Sequence, residues 1–169
     1  MQPSLSAEDL IAWNDCTARE WRELLTSHPE VLALPCDIAG AKTVGQLLQH
    51  IVAVELRYAQ QLAEQSISEY ADIPFDTAEA LYATHDRATA QFRDLLAKPI
   101  DWDAKFGFVT RTLGPARSTR KAVLFHSQLH SIRHYAQLAT LVRQHGIQQK
   151  WRLDYLAMHI ERLDPAPAD

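Results

Sequence analysis

Residues 118–146 read STRKAVLFHSQLHSIRHYAQLATLVRQHG. No proline interrupts the stretch, and Val123, Leu124, Leu138, Leu141 and Val142 recur at helical spacing. It therefore reads as one long amphipathic helix that begins near Ser118 or Thr119 and stops at Gly146, a C-terminal breaker. Within it His126, His130 and His134 stand four residues apart. Each such step advances about 40° beyond a full turn, so the three imidazoles drift across one sector of the helix. The outer two are separated by about 12 Å along the axis, which favours convergence of a neighbouring pair on one ion over convergence of all three. His134 lies nearest the apolar midline, which makes His130 and His134 the best pair. The plainer alternative is a polar patch on an ordinary bundle helix.

Working outward, three more segments carry the same periodicity. The first runs from about Ser6 to about His28, with Leu10, Trp13, Thr17, Trp21, Leu24 and Leu25 on one stripe and a cap at Ser6-Ala7-Glu8-Asp9. Pro29 discourages its continuation. The second begins near Thr43-Val44-Gly45-Gln46, which has capping-box spacing, and carries Val44, Leu47, Leu48, Ile51, Tyr58 and Leu62. His50 falls on the edge of that stripe. Glu55 falls near its centre, where a solvated carboxylate is unexpected. The third begins at Asp76-Thr77-Ala78-Glu79 and ends near Ala97, before Pro99, with Leu81, Ala88, Phe92, Leu95 and Leu96 facing a core. A shorter fifth helix is expected from Trp151 to about Arg162, and the alternation of Phe106, Phe108 and Thr110 allows a small hairpin before the fourth long helix. Four long helices with modest connections favour an all-α four-helix bundle, one domain over 1–163, with a frayed tail at 164–169.

Composition narrows the functional classes. The chain has 169 residues, 47% hydrophobic and 22% charged, with a net charge of −4, which gives no electrostatic reason to expect a nucleic-acid partner. Its five glycines form no phosphate-binding loop. The start MQPSLSAEDL lacks the pattern of a secretory signal, and no apolar run approaches the ~18 residues of a membrane span. Cys16 and Cys36 form no CxxC pair, so free thiols in a reducing cytoplasm are expected.

The chemistry then rests on the histidines. His130 and His134 need a third ligand from another helix, and His50, on the inward edge of the second, is the best candidate. Three neutral imidazoles suit a divalent metal, zinc or nickel first, with iron or manganese as alternatives, and leave a position open. Gln137, Glu55 and Asn14 are candidates to orient the ring N–H groups, and His126 is a flanking or pocket residue. His28, His85, His145 and His159 lack spaced partners in their own segments and read as ordinary surface, capping or core residues. Glu55 reads as a salt-bridged residue or, functionally, as a general base. Trp13 and Trp21 read as core or as a pocket wall. Arg111, Arg117, Arg120 and Lys121 read as a solvated basic loop or, alternatively, an anion-binding cluster.

The segments TVGQLLQHIVAVELRYAQQL and HSQLHSIRHYAQLATLVRQHG resemble the DinB/YfiT-like family. The second carries the HxxxHxxxH segment, a glutamine three residues after its last histidine, and LxxxxRxxG, here His134, Gln137, Leu138, Arg143 and Gly146. Where the family commonly has Arg-Gly after the final histidine, this chain has Tyr135-Ala136. The resemblance implies an up-down-down-up bundle and a divalent metal held by His50, His130 and His134. Some relatives are thiol S-transferases or isomerases that use low-molecular-weight thiols, others look like metal-dependent hydrolases, and fold alone cannot choose among them. The expectations are a thiol transferase acting on a small molecule, with a hydrolase using Glu55 as base as the alternative. A non-enzymatic metal-binding or stress-associated bundle is a third reading, with Phe125, Leu129, Ile132 and Ala136 offering a face for a homodimer. A purely structural bundle with a decayed site is the fourth.

Overall fold

The computed structural model describes residues 4–161. Four long helices dominate: α1 (Ala7–Ser27), α2 (Val44–Leu62), α3 (Ala78–Leu96) and α4 (Arg120–Gln144). Each begins at a Ser or Thr whose side-chain oxygen accepts a backbone N–H of the first turn: Ser6, Thr43, Thr77 and Thr119. Such caps satisfy amide donors that have no partner inside the helix. At α1 the box is complete, because the Asp9 carboxylate accepts from the Ser6 amide at 2.9 Å. At α2 only half of the expected box forms, since Gln46 reaches one residue further back and accepts from the Lys42 amide at 2.7 Å. Helix α4 ends as its glycine suggests: Gly146 takes φ 83°, and the Gly146 and Ile147 amides donate back to Arg143 and Val142 carbonyls.

Pairs of contacting side chains fix the topology. Arg22 meets Asp86 and Asp15 meets Arg93, so α1 and α3 run in opposite directions. Tyr58 lies against His126 and His50 against His134, so α2 and α4 are also antiparallel. Asn14 reaches Gln128 and Trp21 stacks on Tyr135, so α1 and α4 run together. The order is up-down-down-up, with α2 packed on α3 and α4, and α1 packed on the same two. Between α3 and α4 lies the hairpin, β1 (Lys105–Thr110) and β2 (Gly114–Thr119), antiparallel with Phe108 opposite Ala116. The expected fifth helix is only a 3-10 turn at Tyr155–Met158. Its segment is held from outside: the Trp13 indole donates to the Leu153 carbonyl at 2.8 Å, and Trp151 meets Trp21 edge-on. The frayed tail expected at 164–169 lies outside the described residues.

The core has two apolar parts. One gathers around Trp21, Leu48, Ile51, Tyr82 and Tyr135, and the other around Leu56, Phe92, Leu95 and Leu124. In every helix the residues between the two parts are polar and buried: Asn14, Glu55, His85, and Gln128 with Ser131. Glu55 is 1% exposed. Its Oε1 accepts from Asn14 Nδ2 at 2.7 Å and Ser131 Oγ at 2.6 Å, and its Oε2 meets His85 Nδ1 at 2.7 Å. One carboxylate thus ties all four helices together. The far nitrogen of His85 faces Asp15 at 3.3 Å. Burial disfavours the imidazolium, but the Glu55 and Asp15 carboxylates outweigh it and raise the His85 pKa to about 9. Three buried amides of α2 hold the connections: Gln49 donates to the Ile73 carbonyl, Gln60 brackets Ser68, and Gln61 holds the hairpin.

Two outcomes follow from the layer. Removing the carboxylate strands an imidazolium and two polar donors in the core, so Glu55→Ala should cost about 3–5 kcal/mol in urea unfolding. His85 binds its proton more tightly folded than unfolded. Its contribution is therefore complete below about pH 6.5 and lost as pH rises through about 9. Unfolding free energy measured from pH 6 to 9.5 should decline across that window, and should flatten in His85→Gln.

Candidate metal centre

His50 projects from α2, and His130 and His134 from α4, the antiparallel partner that brings the two helices into register. His130 Nε2 and His50 Nε2 are 3.1 Å apart, and the ring centroids of His50 and His134 are 5.1 Å apart. One ring nitrogen from each of the three residues lies within 4.8 Å of the others. Three points so spaced fit within about 2.8 Å of a common centre, close to the 2.0–2.1 Å of a zinc–imidazole bond. The structure therefore brings together the three residues that helix phase selected.

Tautomer and charge suit ligation. The Gln137 Oε1 accepts from His134 Nδ1 at 2.7 Å, which makes Nε2 the acceptor atom of that ring. Arg133 Nη2 donates to that Nε2 at 3.2 Å, a contact that a bound ion would have to displace. Burial, followed by the neighbouring His134 ring and the Arg111 and Arg133 cations, lowers the His50 pKa to about 4. Burial and the adjoining rings hold His130 lower still, and burial also lowers His134 despite its bond to Gln137. All three rings are neutral at pH 7, the form that binds metal. The Nδ1 atoms of His50 and His130 are buried with no hydrogen-bond partner among the described residues. Three neutral, converging imidazoles, two of them otherwise poorly satisfied, fit a divalent ion.

The cluster forms the inner wall of a cavity of about 490 Å³, the size of a small-molecule site. Tyr58, Tyr70, Val54 and Val109 supply apolar wall, and His126 sits at the exposed side with its ring against Tyr58. Gln61 anchors the hairpin over the cavity, its amide both accepting from and donating to the Val109 backbone. Asn14 and Glu55 do not reach the rings; they bond to each other and to Ser131, His85 and Gln128 in the polar layer. The remaining histidines behave as unclustered residues: His28 pairs with Glu30 at the end of α1, and His145 closes α4. The basic cluster divides. Arg120 pairs with Glu64 and Lys121 with Asp103, whereas Arg111 turns into the cavity over the Tyr70 ring. Arg57, Tyr70 and Arg133 also line it, and helix periodicity gave no signal for them because each reaches the cavity from a separate element.

Fold and site define a helical bundle with a three-histidine cluster shared by α2 and α4. The chain matches the model of the DinB family over residues 1–163 and belongs to that family. Among curated proteins none matches the chain.

Purified protein loaded with zinc or nickel should take up about one ion per chain, read by elemental analysis. His50→Ala, His130→Ala and His134→Ala should each abolish stoichiometric uptake, whereas Gln137→Leu should lower affinity by about 10–100-fold in calorimetric titration. Full retention of the ion by His134→Ala would refute the three-histidine site.

Proposed function

We propose that the protein is a divalent-metal-dependent enzyme that transfers a low-molecular-weight thiol to a small electrophilic substrate. His50, His130 and His134 hold the ion, with zinc or nickel the first choices from the all-imidazole donor set. The observation that carries this reading is the convergence of three neutral imidazoles on the wall of a cavity of about 490 Å³. A bound divalent ion supplies Lewis acidity there, favouring the thiolate form of a cosubstrate thiol over the less nucleophilic thiol.

The chain's own groups do the positioning. Gln137 fixes the His134 ring by accepting its Nδ1–H, and the packing of α4 on α2 keeps His50 opposed to His130. Tyr58, Tyr70 and the hairpin strand around Val109 exclude part of the solvent from the cavity and leave one side open for exchange of small molecules. No protein side chain is required as covalent nucleophile, because the thiol fills that role. A hydrolase reading needs a base beside the ion. Glu55 offers little support for it, since its carboxylate is 1% exposed and engaged by Asn14, Ser131 and His85.

Zinc- or nickel-loaded protein, assayed with a panel of small thiols against an electrophile such as 1-chloro-2,4-dinitrobenzene, should show metal-dependent turnover. Turnover should fall by more than about 100-fold in His134→Ala, in line with loss of a Lewis acid. Stoichiometric metal with no turnover for any thiol would favour a passive metal-binding bundle instead.

A further inference from the structure

The cavity beside the histidines has an unbalanced charge. Among the described residues its charged lining side chains are Arg57, Arg111 and Arg133, with no Asp or Glu. This is notable in a chain that carries 21 acidic and only 17 basic residues. Elsewhere three arginines find carboxylates, Arg22 with Asp86, Arg93 with Asp15 and Arg120 with Glu64, while others such as Arg87 and Arg117 stand at exposed positions. Among the described residues, none of the three cavity arginines makes a salt bridge.

Each is also placed by a different element. Arg111 follows β1 in the hairpin turn, with its guanidinium carbon 4.3 Å from the centre of the Tyr70 ring. Stacking of this kind orients the planar fork while leaving its edge free to bond a ligand. Arg57 comes from α2 and is fixed by donating to the Ser68 carbonyl. Arg133 comes from α4, immediately before His134. Arg133 lies directly against His134, and Val54, Tyr58 and Val109 add apolar and aromatic wall to the cavity. A ligand that satisfies all of this has an anionic end, a short organic body and a second donor group directed at the histidines.

We propose that the cavity selects small organic acids, with the carboxylate held by Arg111 while the other end of the molecule faces His50, His130 and His134. On the reading of the preceding section, which this one extends, the favoured cosubstrate is a thiol that carries a carboxylate. Paired guanidinium–carboxylate bonds give the geometric selectivity, because the planar fork matches the two oxygens.

The test uses zinc-loaded protein and calorimetric titration with three small thiols of different charge, each compared between the native protein and Arg111→Glu so that intrinsic differences in thiol acidity cancel: mercaptosuccinate, 2-mercaptoethanol and cysteamine. Mercaptosuccinate should bind at least about tenfold tighter than 2-mercaptoethanol, and cysteamine weakest, a spread typical of a charge-assisted contact. Arg111 sits in an exposed turn, so Arg111→Glu should fold normally and keep its metal while the order compresses or reverses. Equal affinity for the three thiols, or an order unchanged in Arg111→Glu, would overturn the proposal.

A second arm separates it from the thiol-transfer reading. Succinate, which has no sulfur, should bind more tightly than succinamide, and that preference should also vanish in Arg111→Glu. If cobalt-loaded protein shows no thiolate absorption band with any thiol while succinate still binds through Arg111, thiol transfer fails and organic-acid selection stands. If inorganic phosphate binds as tightly as succinate, the organic-acid assignment fails whatever the thiols do.

Discussion

A single buried carboxylate holds the bundle in register. Glu55 is surrounded by one donor from each of the other three helices: Asn14 from α1, His85 from α3 and Ser131 from α4. An ionised group in a core is costly unless it is paired and hydrogen-bonded, and here all the bonds come from elsewhere in the fold. Any sliding of a helix along its axis would break at least one of them. Apolar contacts above and below the layer tolerate small shifts, whereas the layer admits one alignment. That alignment also sets the distance between His50, five residues before Glu55, and His130, the neighbour of Ser131.

Helix number, the four caps and the apolar faces could be read from residues alone, because each depends on spacing within one segment. Phase also offers His50 as a candidate partner for His130 and His134, but the joining of α2 to α4 through these rings comes from the family resemblance and not from periodicity. Glu55 gave half a message. Its position within an apolar stripe marks it as unusual, with a salt bridge as the first reading, but its partner His85 lies on α3 with no repeating pattern around it, so the partner cannot be named from sequence and a base stays open. The C-terminal segment was misjudged in extent because its contacts are long-range: Trp13 and Trp21 capture Leu153 and Trp151, and among the described residues one 3-10 turn follows at Tyr155–Met158.

The arginines of the cavity show where reading by segment ends. In sequence, Arg111 belongs with Arg117, Arg120 and Lys121, a run that looks like a solvated loop. In the fold the hairpin separates them, and only Arg111 turns toward the histidines. Of the three cavity arginines, Arg111 alone comes from a connection, while Arg57 and Arg133 share α2 and α4 with the imidazoles. The lining of the cavity is thus divided between helices locked by the polar layer and the hairpin that covers them.

The attachment of the hairpin gives that division a further meaning. Gln61 grips the Val109 backbone and not its side chain, at both the amide and the carbonyl. Beyond that grip Thr110, Arg111 and Thr112 line the cavity, while Leu113 is 81% exposed. Backbone anchoring is indifferent to side-chain identity, so residues 110–113 can be exchanged or lengthened with little consequence for the scaffold. The tip is thus a replaceable cover, on which new ligand preferences could be tried by mutation while the histidines and their supporting layer stay untouched.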